Sequence, residues 1–253
     1  MSSGWKYITT LCFLLSSSLP LRAADFLDIN MGFAKETIQG QFQMQAVGSA
    51  LKGANIEYRF IRRPAARALQ NVETGIDDGN ILRVAGLEKS YPHLIAVPTP
   101  IIDYEFVSFA RNELAREVRT WEDLRPLRVA MVLGWKIVEE NTKDVHSLIK
   151  VENGEHLFQL LQRKRVDVVI YERWQGLEIA QALGIQNIKL GAKPLAVKPM
   201  HMYLHQRHAA LVSRIDKAVR QLREGQQYAD LYDAAFTPLS LWAKRNGVVS
   251  GLP

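Results

Sequence analysis

Apolar positions recur along this chain in two alternating periods. "FLDINMG" (26–32) is an apolar stretch that ends at glycine and reads as a strand. In "KETIQGQFQMQAVGSALKGAN", Ile38, Phe42, Ala46 and Ala50 fall on one helical face, and Gly53 is the expected stop. "NIEYRFI" alternates Ile56, Tyr58 and Phe60, the period of a second strand. Pro64 opens a helix through "AARALQNVETG" that Gly75 closes. "DDGNIL" is a short strand, and "HLIAVPTPI" and "YEFVSFAR" are extended. The order then restarts. "LRVAMVLG" is an apolar strand, "WKIVEENT" begins a helix, and "NGEHLFQLLQRK" turns Leu157, Leu160 and Leu161 inward. "RVDVVIYER" is a strand apolar on both faces, "GLEIAQALGI" a helix and "NIKLG" a strand. The tail is mainly helical, with Leu211, Ile215, Ala218 and Leu222 at helical spacing. Strands alternating with helices predict an α/β fold with mostly parallel pairing.

The two runs share a plan. "INMGFAKET" leads later to "ALQNVETGIDDGNI", and "VLGWKIVEE" leads later to "HLFQLLQRKRVDVVI". Each reads strand, glycine, aromatic, helix, and then an Asp-headed strand. Gly32 echoes Gly134, Phe33 echoes Trp135, and Asp78 echoes Asp167. Ligands of open α/β sheets sit beyond the carboxyl ends of the strands. Two lobes facing each other with those ends would form a cleft. The segments pointing into it would be Gly32 with Phe33, the end of the strand through Asn80 and Arg83, Gly134 to Lys136, and Tyr171 with Glu172.

The first 23 residues stand apart. One early Lys6, an apolar run from Tyr7 to Leu19, Pro20, and small residues at Ala23 and Ala24 have the layout of a secretory signal peptide cleaved after Ala23. The run is short for a membrane span. Cys12 is the only cysteine and lies within it, so no disulfide or thiol chemistry is expected of the mature chain. The formal charge of +6 falls by two when Lys6 and Arg22 leave, and the remaining bases are interspersed with acids. No basic stripe suggests nucleic acid. At 253 residues, 47% hydrophobic and 23% charged, the chain has an ordinary globular composition. A cysteine-free exported protein of this kind fits the periplasm.

At "PAARALQNVETGIDDG", "YPHLIAVPTPI", "FVSFARN", "WEDLRPLRVAMVLGW" and "RVDVVIYER", taken in that order, the chain resembles periplasmic solute-binding proteins of the type 2 fold. The branch it resembles is related to family 3, the polar amino-acid binders of ABC transporters. The resemblance implies two lobes joined by two hinge strands, each lobe a mostly parallel sheet flanked by helices. It places residues 24–108 and 202–253 in a discontinuous first lobe and 109–201 in the second, with crossings near 105–111 and 198–204. It implies a small anionic or zwitterionic, amino-acid-like ligand, uptake through a membrane permease, no cofactor, and a monomer. One departure stands out. Typical amino-acid binders follow the Asp-headed strand with a Ser/Thr-rich turn and an Arg that grips the ligand carboxylate. Here the strand runs "DDGNILRVAGLEKSYP", without that turn, and Arg83 follows Asn80. The departure weighs against an ordinary α-amino acid.

Arg83 offers a planar fork for a carboxylate, or a surface bridge to Glu88. Trp135 and Lys136 stand at a helix start, where unpaired N–H groups favour an anion. Trp135 is either an aromatic wall or a core residue, and Phe33 carries the same two readings. In the family an acid near Glu172 meets the ligand's ammonium, and the alternative is a partner for Arg173. Tyr104 lies beside a hinge and lines the cleft in this reading. Arg67 reads as a solvated or paired helix Arg, and Asp78 as a cap or turn former. In "HMYLHQRH", His201, Tyr203 and His205 share a face as a strand, and His201, His205 and His208 do so as a helix. No acidic pair accompanies them, so no metal site is expected. HExxH, G-x-S-x-G, Walker and G-x-G-x-x-G motifs are all missing, and the chain is read as a binder, not an enzyme. A sensory module for a membrane kinase or receptor and an enzyme on the same scaffold remain the alternatives.

Overall fold

The computed structural model describes residues 25–32 and 37–248. The expected signal peptide and Phe33 lie outside these residues. The strands are β1 (Asp25–Met31), β2 (Ile56–Arg62), β3 (Gly79–Val84), β4 (Leu94–Ala96), β5 (Ile102–Ala110), β6 (Arg128–Val132), β7 (Ser147–Val151), β8 (Val168–Glu172), β9 (Lys189–Leu190) and β10 (Ala196–His205). The helices between and after them are α1 (Ile38–Gly53), α2 (Ala65–Glu73), α3 (Leu114–Glu117), α4 (Lys136–Asn141), α5 (Gly154–Gln162), α6 (Arg173–Ala182), α7 (Ala209–Glu224) and α8 (Gln226–Arg245).

Local chemistry sets the boundaries. The Thr37 hydroxyl accepts from Gly40 N–H and caps α1, whose Phe42, Ala46 and Ala50 are buried as their spacing predicts. The helix ends at Gly53, as expected. The chain turns at Asn55, which takes the left-handed conformation at φ 52°. Pro64 does open α2, and Gly75 follows it at φ 72°.

The strands form one continuous path, β2-β1-β3-β10-β5-β8-β6-β7, with β4 added to β10 and β9 to β5. Pairing is parallel within β2-β1-β3 and within β7-β6-β8, as the strand–helix alternation predicts. Among the described strands, the two groups are joined through β5 and β10. These pair antiparallel from Ala196 opposite Phe106 to Met200 opposite Ile102. Then they part. β10 continues along β3, with Leu204 opposite Gly79, and β5 continues along β8, with Ala110 opposite Val168. Each strand therefore belongs to both lobes, and the sheet changes partners where they cross.

The echo between the runs has a bonding basis. Asp78 N–H donates to Asp28 O and its carboxylate accepts from Asp28 N–H, at 2.9 and 2.8 Å. Asp167 N–H donates to Arg128 O and its carboxylate accepts from Arg128 N–H, at 2.9 and 3.0 Å. In each lobe an aspartate locks the start of the third strand to the first.

The segment 202–253 has two destinations. β10 and α7 pack within the first lobe. α8 leans on α1 and also on α6, where Phe236 stacks on Trp174 with ring centres 4.6 Å apart. Beyond it, Val248 O accepts from Leu190 N–H of β9 in the second lobe, at 3.0 Å. The tail thus touches both lobes.

Gly79 marks a tight backbone approach between β3 and β10. A Cβ there would sit 2.6 Å from Tyr203 O, and 2.9 Å from Ile29 Cδ1 and from Leu204 Cδ2. A backbone oxygen in a paired strand cannot move aside as a side chain can. Gly79→Ala is therefore expected to cost about 1–3 kcal/mol and to lower the melting temperature by several degrees. An unchanged melting curve would show that β3 and β10 are free to separate.

Candidate functional site

The carboxyl ends of the parallel strands of both lobes open onto one cleft of about 880 Å³. The first lobe contributes Gly32, the start of α1 and the end of β3. Tyr104, Phe106, Lys198 and Met200 of the crossing strands form the floor. The second lobe contributes Gly134 to Ile137, Glu140 and Gln175.

Arg83 lies near the end of β3, on the cleft wall. Its guanidinium donates to Leu82 O at 3.0 Å. Burial draws its pKa below the ordinary value, opposed by Tyr104 and Tyr91. The guanidinium group occupies the space a side chain on Gly32 would need. The glycine of the first lip thus leaves room for Arg83, whose guanidinium a Cβ there would push aside.

A buried polar network backs this wall. Asn30 Nδ2 donates to Ala68 O and to Asp77, at 2.8 and 2.9 Å, and Asn80 donates to Asn30 Oδ1. Asn71 and Arg63 also donate to Asp77. Burial alone would raise the Asp77 pKa, but the bonds from Arg63, Asn30 and Asn71 outweigh it and hold the carboxyl below the usual range. This network fixes the end of β1 and the start of β3, the strand from which Arg83 projects, relative to α2.

Tyr104 stands on the floor and accepts a hydrogen bond from Gln43 Nε2 of α1, at 2.6 Å. Burial, helped by the charge of Glu172, pushes its phenol well above the ordinary range, so it stays protonated. Trp135 forms the opposite wall. Tyr171 stacks behind it with ring centres 4.6 Å apart and planes 24° apart, and Phe106 meets it edge-on at 5.3 Å. Trp135 is therefore both packed and part of the lining. Lys136 also reaches the lining but is mostly exposed and pairs with Glu139 at 3.4 Å. The helix it begins is short, and the Gly134 N–H at its start already donates to Glu139 at 3.3 Å. The anion site expected at this helix start is thus partly filled by the protein's own carboxylate.

Glu172 is placed differently from the others. It is fully buried beneath the wall and outside the cleft lining. Its carboxylate caps α6 by accepting from Gln175 N–H at 3.0 Å. The other oxygen, Oε1, has no hydrogen-bond partner among the described residues. Burial raises the pKa to about 7, opposed by the Gln175 bond and by the nearby Gln39 amide. Arg173, the alternative partner, instead binds Glu105 at 2.6 Å.

Residue patterns had not singled out Gln39, Gln43 and Gln175. Gln175 Nε2 donates to Gln39 Oε1 across the lobes at 2.6 Å, and Glu178 of α6 accepts from Ile38 N–H at the start of α1. The available signal is the run "TIQGQFQMQ", in which Gln39 and Gln43 fall one turn apart and are buried. Among the other candidates, Arg67 is exposed and Asp78 binds Arg207 and His208. His201 bonds Val97 O at 3.0 Å, as a strand residue would. Among the described residues no group of three His, Cys, Asp or Glu is arranged to hold a metal.

No protein-family model and no curated protein sequence matches the chain. Solved structures do. An amino acid ABC transporter substrate-binding protein from Streptococcus pneumoniae, bound to L-arginine, superposes with a TM-score of 0.63 at 16% identity, over 85% of this chain and 95% of that one. The GluR0 ligand-binding core in complex with L-glutamate gives 0.66 at 15% identity, over 83% and 97%. A histidine kinase sensor domain with similarity to periplasmic binding proteins gives 0.62 at 16% identity, over 82% and 94%. The fold is therefore the two-lobed type 2 periplasmic-binding architecture.

Proposed function

We propose that this chain is a secreted solute-binding protein whose two lobes close over a small anionic or zwitterionic ligand. The observation that carries this reading is that Arg83 and the backed face of Trp135 line one cleft from opposite lobes, above strands common to both. The cleft volume falls within the range of about 300–1,000 Å³ typical of small-molecule sites. Similarly folded proteins have been solved with arginine and with glutamate bound, which supports a small-molecule ligand for this fold.

In this reading residues 1–23 direct export to the periplasm. Residues 24–108 and most of 202–253 move as one lobe and 109–201 as the other, turning about the β5–β10 crossing. A ligand touching both lobes binds the closed form better than the open one and shifts the population toward it. An ABC-type permease then recognises the closed form. The protein binds without turnover. The likeness to a kinase sensor domain favours a second reading, in which the closed form signals to a membrane receptor. A permease and an ATPase encoded beside this chain would favour the first.

The test is a thermal-shift screen over amino acids, small carboxylates and polyamines, followed by small-angle scattering of any pair that responds. A binder at a hundred times its Kd adds about 2.7 kcal/mol of stability, so a clear rise in melting temperature and a smaller radius of gyration are expected. If no compound in the panel raises the melting temperature, the proposal fails.

A further inference from the structure

We infer that the starts of α6 and α1 form a polar latch, which holds the two lobes together by protein–protein bonds alone and so sets how readily the cleft opens. This rests on the binding reading above and adds the regulation of that same site.

The two helices belong to different lobes, and their first turns meet. Glu172 caps α6 by accepting from the Gln175 N–H, which fixes where the Gln175 side chain leaves the helix. From there Gln175 Nε2 donates to Oε1 of Gln39, a fully buried residue of α1, at 2.6 Å. Glu178 stands three residues further on, on the same face of α6. Both its carboxylate oxygens accept from the Ile38 N–H, at 3.2 and 3.1 Å. That N–H is one of the groups a helix cannot satisfy within its own first turn. A carboxylate there also meets the positive end of the helix dipole. Thr37 covers the next such group, the Gly40 N–H, from within the first lobe. The start of α1 is therefore capped partly by its own lobe and partly by the other.

The place of these bonds makes them a latch and not a fixed core contact. Thr37, Gly40, Gln43 and Gln175 line the cleft, so the bonds run along its edge. Ile38, Gln175 and Glu178 are half-buried, and water takes over their bonds when the lobes part. The sheet continues from lobe to lobe through β5 and β10, so a turn about that crossing that widens the cleft draws α1 away from α6. Two bonds of this kind, one of them to a charged group, shift an equilibrium by roughly tenfold to several hundredfold. That is enough to favour the closed form and too little to lock it, which is the range in which a ligand can shift the balance.

The test needs no ligand. Spin labels on Lys89→Cys and Lys143→Cys, exposed positions on opposite lobes, report the interlobe distance by pulsed dipolar spectroscopy. Cys12 is the only native cysteine, so a mature chain starting at Ala24 takes the labels at these two sites alone. The protein is refolded from denaturant beforehand to strip any carried small molecule. We expect the wild type to show mainly the shorter distance. Gln175→Ala should raise the ratio of open to closed form roughly fivefold, and Glu178→Ala roughly tenfold or more. Glu178→Gln keeps the shape and loses the charge, and should give a smaller shift in the same direction. Gln181→Ala, on an exposed position of α6, should change nothing. A cooperative melting transition in each variant separates opening from unfolding. Distances that stay at the wild-type values in both Gln175→Ala and Glu178→Gln overturn the inference, and would mean that the stacking of Trp174 on Phe236 joins the lobes instead. A wild type that is mainly open overturns it too. Neither result touches the binding reading, which stands or falls by the thermal-shift screen.

Discussion

Replacing Arg83 by alanine is expected to weaken binding of a carboxylate ligand by about 30-fold to several thousand-fold, the range set by removing one partner of a partly buried, hydrogen-bonded charge pair, about 2–5 kcal/mol. The guanidinium lies on the cleft wall at the end of a strand pinned from behind by Asn30, Asn80 and Asp77, so little order is lost when an anion docks on it. Arg83→Lys keeps the charge and loses the fork, and is expected to fall between wild type and alanine. Gly32→Ala supplies an independent route to the same result, because its Cβ would occupy the guanidinium's place and displace it without altering the arginine. Chemical denaturation of the unliganded proteins separates binding from folding: all three variants should retain a cooperative transition. Unchanged affinity in Arg83→Ala, measured by calorimetry, would remove Arg83 from the site, and with it the anionic half of the ligand assignment.

Much of the fold was legible because its signals are local. Two strand–helix runs, each with an Asp-headed third strand, are visible in the residues, and the Asp78–Asp28 and Asp167–Arg128 bonds show why the aspartates recur. Some helix ends were legible too: α1 ends at Gly53, and Gly75 follows α2 at φ 72°. The destination of the tail was hidden. Tyr228, Tyr232 and Phe236 of α8 cluster around Phe42, and Phe236 also stacks on Trp174 of the other lobe. Such long-range aromatic packing leaves no periodic mark by which to choose a partner. The histidine trio illustrates the cost of an ambiguous period, since only the strand assignment separates His201 from His208 and assigns each a partner of its own.

Within the cleft, Arg83, Trp135 and Lys136 follow from asking which residues stand at strand ends, and Tyr104 from its place beside a hinge; the structure brings these four to one lining. The same rule put Glu172 there, and the structure places it underneath. The reason is the missing loop. β8 ends at Glu172 and α6 begins at Arg173, so the last strand residue is also the helix cap. A capping carboxylate must turn back toward the N–H groups of the first turn, and that turns it away from the cleft. The spacing from Glu172 to Gln175 is the capping spacing and was readable as such. The glutamines of α1 were missed because polar residues on a buried helical face look like errors in a pattern until their partners across the lobes are known.

Glu172 also sets the second large expectation, a loss of stability between mildly acidic and neutral pH that Glu172→Gln removes. Burial raises this carboxyl from 4.5 to about 7 in the folded protein. Below the unfolded value both states hold the proton, and the contribution is fully present. As pH rises through the interval between the two values, the unfolded chain releases its proton first. The folded protein must then ionise a sealed group or keep paying to hold the proton, so stability falls until about pH 7 and is level beyond. A shift of this size corresponds to at most about 3 kcal/mol. The aspartates held low, Asp77, Asp78, Asp167 and Asp216, act in another window, because their stabilisation is lost only as pH falls through their depressed values. His205, whose pKa burial lowers, has the opposite slope to Glu172 and an overlapping range. It is present in both proteins, so the difference between variant and wild type isolates Glu172. Glutamine keeps an acceptor for the Gln175 N–H and carries no charge at any of these pH values. We expect the two melting temperatures to coincide near pH 4.5 and the variant to lead by roughly 5–10 °C at pH 8, the shift that about 3 kcal/mol gives in a chain of this size. A difference that does not vary with pH would show that water reaches the Glu172 carboxylate. That outcome has a structural meaning, because the Gln39 amide that faces it belongs to α1 of the other lobe. The burial therefore depends on the lobes staying together, and a ligand that holds them closed should steepen the wild-type slope and leave the variant's flat.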